Sequence, residues 1–215
     1  MQNVYFISGM GADKRVFQFL DLGFCNPIFI EWTSPLPGET ISQYAARLRH
    51  QITDKEPVIV GLSFGGMIAI EIAKQIPVKK LILLSSAKSE KEIPYYIRGL
   101  RYLPLHKLVT SSFLRWANQY AYRLMGIAGR SDKIIVADMF READGRLLLW
   151  AVHQIAHWKN NVAIDNVVHI HGTADILLPY RFILADHTIE GGEHLMLMNQ
   201  ADTISELLKR ILEEI

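Results

Sequence analysis

The chain has 215 residues and a mass of 24.5 kDa; half of it is hydrophobic, and 23 Lys and Arg against 22 Asp and Glu give a net charge of +1. That length fits one domain burying about 70% of its unfolded surface, and a balanced charge with no basic run or stripe gives no case for nucleic acid or an anionic membrane as a partner. The single cysteine, Cys25, excludes an intramolecular disulfide and fits a reducing compartment, and with no leader-like start and no apolar run near about 18 residues, a soluble cytoplasmic protein is expected.

Residues 4–7 (Val-Tyr-Phe-Ile) form a continuous apolar run ending at Ser8-Gly9-Met10-Gly11, the pattern of a strand buried on both faces and followed by a tight loop. Asp13 stands where it caps a short helix through Val16, Phe17 and Leu20. A second strand follows at 27–30, then a loop at Ser34-Pro35-Leu36-Pro37-Gly38. Ile41, Tyr44, Ala45, Leu48 and Ile52 recur at helical spacing behind Thr40 and Gln43, which form a capping-box pair. Residues 58–60 are a β-branched strand, 68–73 an apolar helix stopping before Pro77, and 81–84 a fourth strand running into Ser85-Ser86.

From 87 to 165 the strand signal disappears, and helical patterns follow one another at 111–125, 131–141 and 144–157. Three of the four tryptophans (Trp116, Trp150, Trp158) and five of the eight tyrosines lie in this interval. Strands return at 167–170 and 185–189, and a last helix carries Ile204, Leu207, Leu208 and Ile211 on one face. Strands alternating with helices predict right-handed βαβ units and a parallel sheet covered on both faces. The expected division is a core of 1–86 and 166–215 with a helical insertion at 87–165. Lying over the carboxyl ends of the strands, that insertion would wall an apolar, aromatic pocket, with Trp150 and Trp158 as its best lining candidates because they sit where the chain returns to the sheet.

The chemistry concentrates at Gly61-Leu62-Ser63-Phe64-Gly65, placed between the strand at 58–60 and the helix that follows. G-x-S-x-G in that context is a nucleophile elbow, a serine held at a sharp strand-to-helix turn with its hydroxyl exposed above the sheet. At this composition the bare motif arises by chance about 0.05 times per chain, so its placement carries weight. A serine hydroxyl needs a base, and the base works best with a carboxylate to fix its tautomer. In an open α/β sheet both must come from loops at the carboxyl ends of strands. Among the eight histidines, His194 in Gly191-Gly192-Glu193-His194 follows the last strand; His169 and His171 lie on a strand, and His50, His106, His153 and His157 fall on helices or in the insertion. Asp175, after His171-Gly172-Thr173-Ala174, is the acid on the correct side, whereas Asp165 and Asp186 precede strands.

In this order, Ser63, Asp175, His194, the chain resembles the α/β-hydrolase superfamily of esterases, lipases and related acyl hydrolases. The resemblance covers nearly the whole chain and implies a doubly wound, mostly parallel six-stranded sheet in the order 2-1-3-4-5-6, lacking the family's first hairpin, with a helical cap. It also implies an oxyanion hole made by the backbone N–H groups of Met10 and Phe64. The family often has His-Gly after its first core strand; here Ser8-Gly9 stands in that place.

The expected function is a serine hydrolase acting on a small or medium apolar carboxylic ester through an acyl-enzyme. Alternatives on the same residues are a thioesterase, acyltransferase, C–C hydrolase or lyase, or a ligand receptor with a vestigial site. His153 and His157 have the i, i+4 spacing of metal ligands but no Glu after His153 and no third ligand, so no metal is expected. Gly9 and Gly11 lack the rest of a phosphate loop, so no cofactor is implied.

Overall fold

The structure, a computed structural model, describes residues 1–102, 122, 125–127 and 129–215. Six strands, β1 (Asn3–Ile7), β2 (Asn26–Phe29), β3 (Val58–Leu62), β4 (Lys80–Leu84), β5 (Val167–Gly172) and β6 (His187–Ile189), form one sheet in the order β2-β1-β3-β4-β5-β6. Every neighbouring pair is parallel, as the crossover pattern predicts.

The continuous apolar runs have a direct cause in this arrangement. Val4 and Phe6 on β1, Val58, Val60 and Leu62 on β3, and Ile82 and Leu84 on β4 point to one side of the sheet. Tyr5 and Ile7, Ile59, and Leu81 and Leu83 point to the other. Because successive side chains alternate, a strand covered on both faces has to be apolar at every position. The first side is covered by α6 (Met196–Asn199), α7 (Ala201–Glu213) and the 3-10 turn Lys14–Phe17, and the second by α1 (Ile41–Leu48) and α2 (Phe64–Ala73). Each fully buried Leu, Ile or Val contributes about 1.5–3 kcal/mol relative to exposure.

Local signals explain the helices. Thr40 and Gln43 make the reciprocal capping box at the start of α1, and that helix tightens at Leu48 into a 3-10 turn, Arg49–Gln51. Asp13 accepts from the backbone N–H of Arg15, 2.9 Å away, yet it caps only a 3-10 turn, which ends at Phe17 before reaching Leu20. Between β4 and β5 lie α3 (Tyr95–Gly99), α4 (Arg130–Glu142) and α5 (Gly145–His157), with Asp144 as the N-cap of α5. The helix expected over 111–125 lies outside the described residues apart from Tyr122 and Met125.

The strand expected at 185–189 is shorter because Asp186 spends its groups differently. Its N–H donates to the His169 carbonyl at 2.8 Å, and its carboxylate accepts the His169 N–H at 2.7 Å. Among the described residues no helix is long and apolar enough to cross a membrane.

Candidate active site

Ser63 is the residue between β3 and α2, and its backbone is strained, with φ 52° and ψ −121°. Such a conformation costs a non-glycine residue on the order of 1–3 kcal/mol and persists only where its surroundings enforce it. Here they do. The Ser63 N–H donates to the Leu84 carbonyl at 2.9 Å, extending the strand pairing by one residue, and Ser86 Oγ donates to the Ser63 carbonyl at 2.7 Å. Gly65 is required because a side chain there would collide with the backbone carbonyls of Ile7 and Ser8. The turn therefore presents a half-exposed hydroxyl at the positive end of α2.

The loops after β5 and β6 are laced together. Thr173 N–H donates to Ile189 O at 3.0 Å, Ala174 N–H to Gly192 O at 2.9 Å, and Gly191 N–H to Thr173 Oγ1 at 2.8 Å. Gly172 permits this closeness, since any side chain there would strike the Gly192 backbone. The result carries Asp175 and His194, both buried at 4% and 5% exposure, to the same side as Ser63.

The three side chains form one hydrogen-bonded chain. His194 Nδ1 lies 2.8 Å from Asp175 Oδ2, and His194 Nε2 lies 2.9 Å from Ser63 Oγ. Burial pushes the Asp175 carboxyl upward, but the charge and hydrogen bond of His194, the Leu178 N–H and His171 outweigh it, holding the group below its ordinary value. An ionised carboxylate only accepts, so His194 Nδ1 carries the proton and Nε2 presents its lone pair to the serine. This is the tautomer that proton abstraction from Ser63 needs.

The loop carrying Met10 runs beside the serine. A methyl group in place of the Gly9 hydrogen would sit 3.4 Å from Ser63 Cβ. Ser8, which stands where the family often has histidine, is buried and closes this loop: its Oγ donates to the Ala12 carbonyl at 2.8 Å and accepts from Trp32 Nε1 at 2.7 Å. Phe64 begins α2, and its ring stacks on Trp32 with centroids 5.9 Å apart.

Trp150 and Trp158 are placed differently from each other. Trp150 meets the Phe64 ring edge-on at 5.9 Å and donates through Nε1 to the Glu39 carbonyl at 2.8 Å. Trp158 is buried against α2, where its Nε1 donates to Glu71 Oε1 at 2.7 Å while Lys74 Nζ lies 2.5 Å from the same oxygen. A buried carboxylate requires such partners, which accounts for the position of this tryptophan. Both tryptophans line a cavity of about 770 Å3 with Ile41, Lys74 and Gln154, and none of Ser63, Asp175 or His194 borders it. His153 and His157 also border this cavity, their rings stacked at 4.0 Å, with His157 Nδ1 donating to the His153 carbonyl at 2.8 Å.

Sequence reasoning passed over two groups that touch the site, Ser86 and His171. His171 and His169 are wholly buried on β5, with ring centroids 5.3 Å apart. Burial, followed by the nearby charges of His171 and Lys88, pushes the His169 imidazole down to about 3. The unfolded chain takes up this proton near the ordinary ~6.5 while the folded chain refuses it, so between these values stability falls as pH falls. At about 1.4 kcal/mol per unit, lowering the pH from 7 to 4.5 should remove about 2–3 kcal/mol through this residue. Urea titrations should show His169→Phe losing correspondingly less over that interval; an identical loss in the variant would place the acid sensitivity elsewhere.

The family model described as "Alpha/beta hydrolase family" matches residues 4–207. A search of curated proteins by sequence gives no match. Among solved structures, an esterase from Exiguobacterium antarcticum superposes with a TM-score of 0.72 at 15% identity, over 98% of this chain and 92% of its own. An N-acyl homoserine lactonase gives 0.72 at 14% identity, over 99% and 89%, and a bromoperoxidase from Bacillus anthracis gives 0.68 at 17%, over 99% and 92%. At such identities these structures are similar in fold, while the family match spans both arms of the sheet and all three residues of the hydrogen-bonded chain: the protein belongs to the alpha/beta hydrolase family.

Proposed function

We propose that this protein is a serine hydrolase that cleaves a small or medium apolar carboxylic ester through an acyl-enzyme. The observation that carries the reading is the Ser63–His194–Asp175 chain, with contacts of 2.9 and 2.8 Å, built on a strained serine at the start of a helix. Ser63 Oγ attacks the ester carbonyl as its proton passes to His194 Nε2, and Asp175 stabilises the imidazolium. Charge developing on the carbonyl oxygen is met by the backbone N–H groups of Met10 and Phe64. His194 then returns the proton to the departing alcohol, and a water activated by the same nitrogen releases the acid and frees Ser63. No step calls for a metal or cofactor.

The interval 87–165 acts as the cap that selects the substrate, with Trp150 beside Phe64 as its candidate contact. An apolar pocket discriminates weakly, by about 1–3 kcal/mol per methylene, so selection by chain length is graded. Two proteins of similar fold bear names of ester-bond hydrolases, an esterase and an N-acyl homoserine lactonase. The test is a panel of p-nitrophenyl esters from acetate to decanoate beside matched thioesters. Turnover should be greatest on short or medium esters. Thioesters preferred by more than tenfold would make it a thioesterase, and no turnover on either would leave the acyltransferase, C–C hydrolase, lyase or receptor alternatives.

A further inference from the structure

We infer that His171 is a positioning residue for this site: its ring anchors the Leu178 carbonyl and lies against the Asp175 carboxylate, fixing the loop that presents Asp175 to His194. The inference rests on the hydrolase reading for its kinetic consequence but on geometry for its origin. His171 Nε2 lies 2.8 Å from the Leu178 carbonyl oxygen and 3.3 Å from Asp175 Oδ2. Leu178 in turn donates its N–H to Asp175 Oδ1 at 2.8 Å. The imidazole thus anchors the far end of the short loop from 175 to 178 by its hydrogen bond to the Leu178 carbonyl and lies beside one oxygen of the acid at its near end, while the other acid oxygen accepts the Leu178 N–H.

The tautomer follows from these neighbours. Both groups facing Nε2 are acceptors, so Nε2 carries the proton and donates. Nδ1 is buried with no hydrogen-bonding partner among the described residues, which leaves nothing to receive a second proton. Burial, opposed by Asp175 and the Leu178 backbone, pushes the imidazole below its ordinary value, in agreement with a ring that donates without taking charge. A charged donor here would compete with His194 for the same Asp175 oxygen. A neutral one adds orientation and leaves the stronger pairing, at 2.8 Å, to His194.

The orientation matters because small displacements of catalytic groups are expensive. A shift of about 1 Å costs on the order of 100-fold in rate, and Asp175 has no covalent restraint beyond its own loop. Gly172 and the lacing between the loops set the backbone, while the His171 ring anchors Leu178, whose N–H orients the carboxylate.

The experiment compares His171→Gln, His171→Asn and His171→Leu with wild type, using kcat and KM on the best ester, the low-field proton NMR signal of the His194–Asp175 hydrogen bond, and urea stability. Glutamine reaches the Nε2 position with an N–H donor; asparagine is too short, and leucine has none. The inference expects kcat to fall roughly 10- to 100-fold in the Leu and Asn variants with KM within a few-fold, and glutamine to recover most of the loss. The low-field signal should move upfield in Leu and Asn and stay near the wild-type position in Gln. Wild-type kcat in the Leu variant, or Leu matching Gln with an unmoved signal, would reduce His171 to core packing and overturn the inference. Should the Leu variant not fold, the Gln and Asn pair decides by the same criteria. If wild type hydrolyses no ester, the hydrolase reading fails by itself, and the NMR comparison still decides whether His171 positions Asp175.

Discussion

Ser63→Ala is expected to lower ester turnover by about 10⁶-fold, leaving a residual of roughly 10³–10⁴ over the uncatalysed rate, because the variant lacks the proposed nucleophile while the rest of the site remains. The fold should survive. Ser63 Oγ is hydrogen-bonded to His194, while the turn itself is held by backbone groups and by Ser86, which an alanine leaves in place. Alanine pays the same conformational penalty at φ 52° as serine, so the melting temperature should change little. Circular dichroism and kcat/KM on one purified preparation check both halves. Activity within a few-fold of wild type would remove Ser63 as the nucleophile.

Asp175→Asn is expected to reduce kcat by roughly 10⁴-fold, a large loss from the exchange of one oxygen for an NH₂ group. The physical reason is the tautomer. An amide nitrogen facing His194 Nδ1 donates, so Nδ1 must become the acceptor and Nε2 must carry the proton. That proton points at Ser63 Oγ, 2.9 Å away, and the ring can no longer accept from the serine. KM should change little, because Asp175 is buried behind His194 and the Leu178 N–H can still be accepted by the amide oxygen. Steady-state kinetics read the split directly. A loss below tenfold would pass the acid role elsewhere; Glu193, the nearest alternative along the chain, is occupied with Asn199 Nδ2 at 3.1 Å.

The sheet was legible from sequence because β1, β3 and β4 are covered on both faces and so are apolar at every position, a pattern that survives without knowledge of neighbours. The grouping of Ser63, Asp175 and His194 followed from the G-x-S-x-G motif together with topology: loops at the carboxyl ends of parallel strands converge, and few polar residues stood on them. Other features depended on partners far away in the chain. β6 shortened because the Asp186 carboxylate takes the His169 N–H, an exchange that no strand propensity encodes. α3 was missed because it is only five residues long and starts behind Pro94, which offers no side-chain cap. The position of Trp158 reflects the need to satisfy buried Glu71, which lies 87 residues earlier, so its place late in the insertion said nothing about which way its ring would turn. His171 sits on a strand in a pattern read only for its aspartate; its role emerges once the loop after Asp175 folds back to present the Leu178 carbonyl.

The central claim, that Ser63 is an activated nucleophile served by His194 and Asp175, is tested most directly by a fluorophosphonate reagent and mass mapping of the modified peptide. The account predicts one phosphonyl group per chain, located on Ser63, absent in Ser63→Ala and formed far more slowly in Asp175→Asn. A folded protein that remains unmodified, or one that carries the label on another residue, would contradict it.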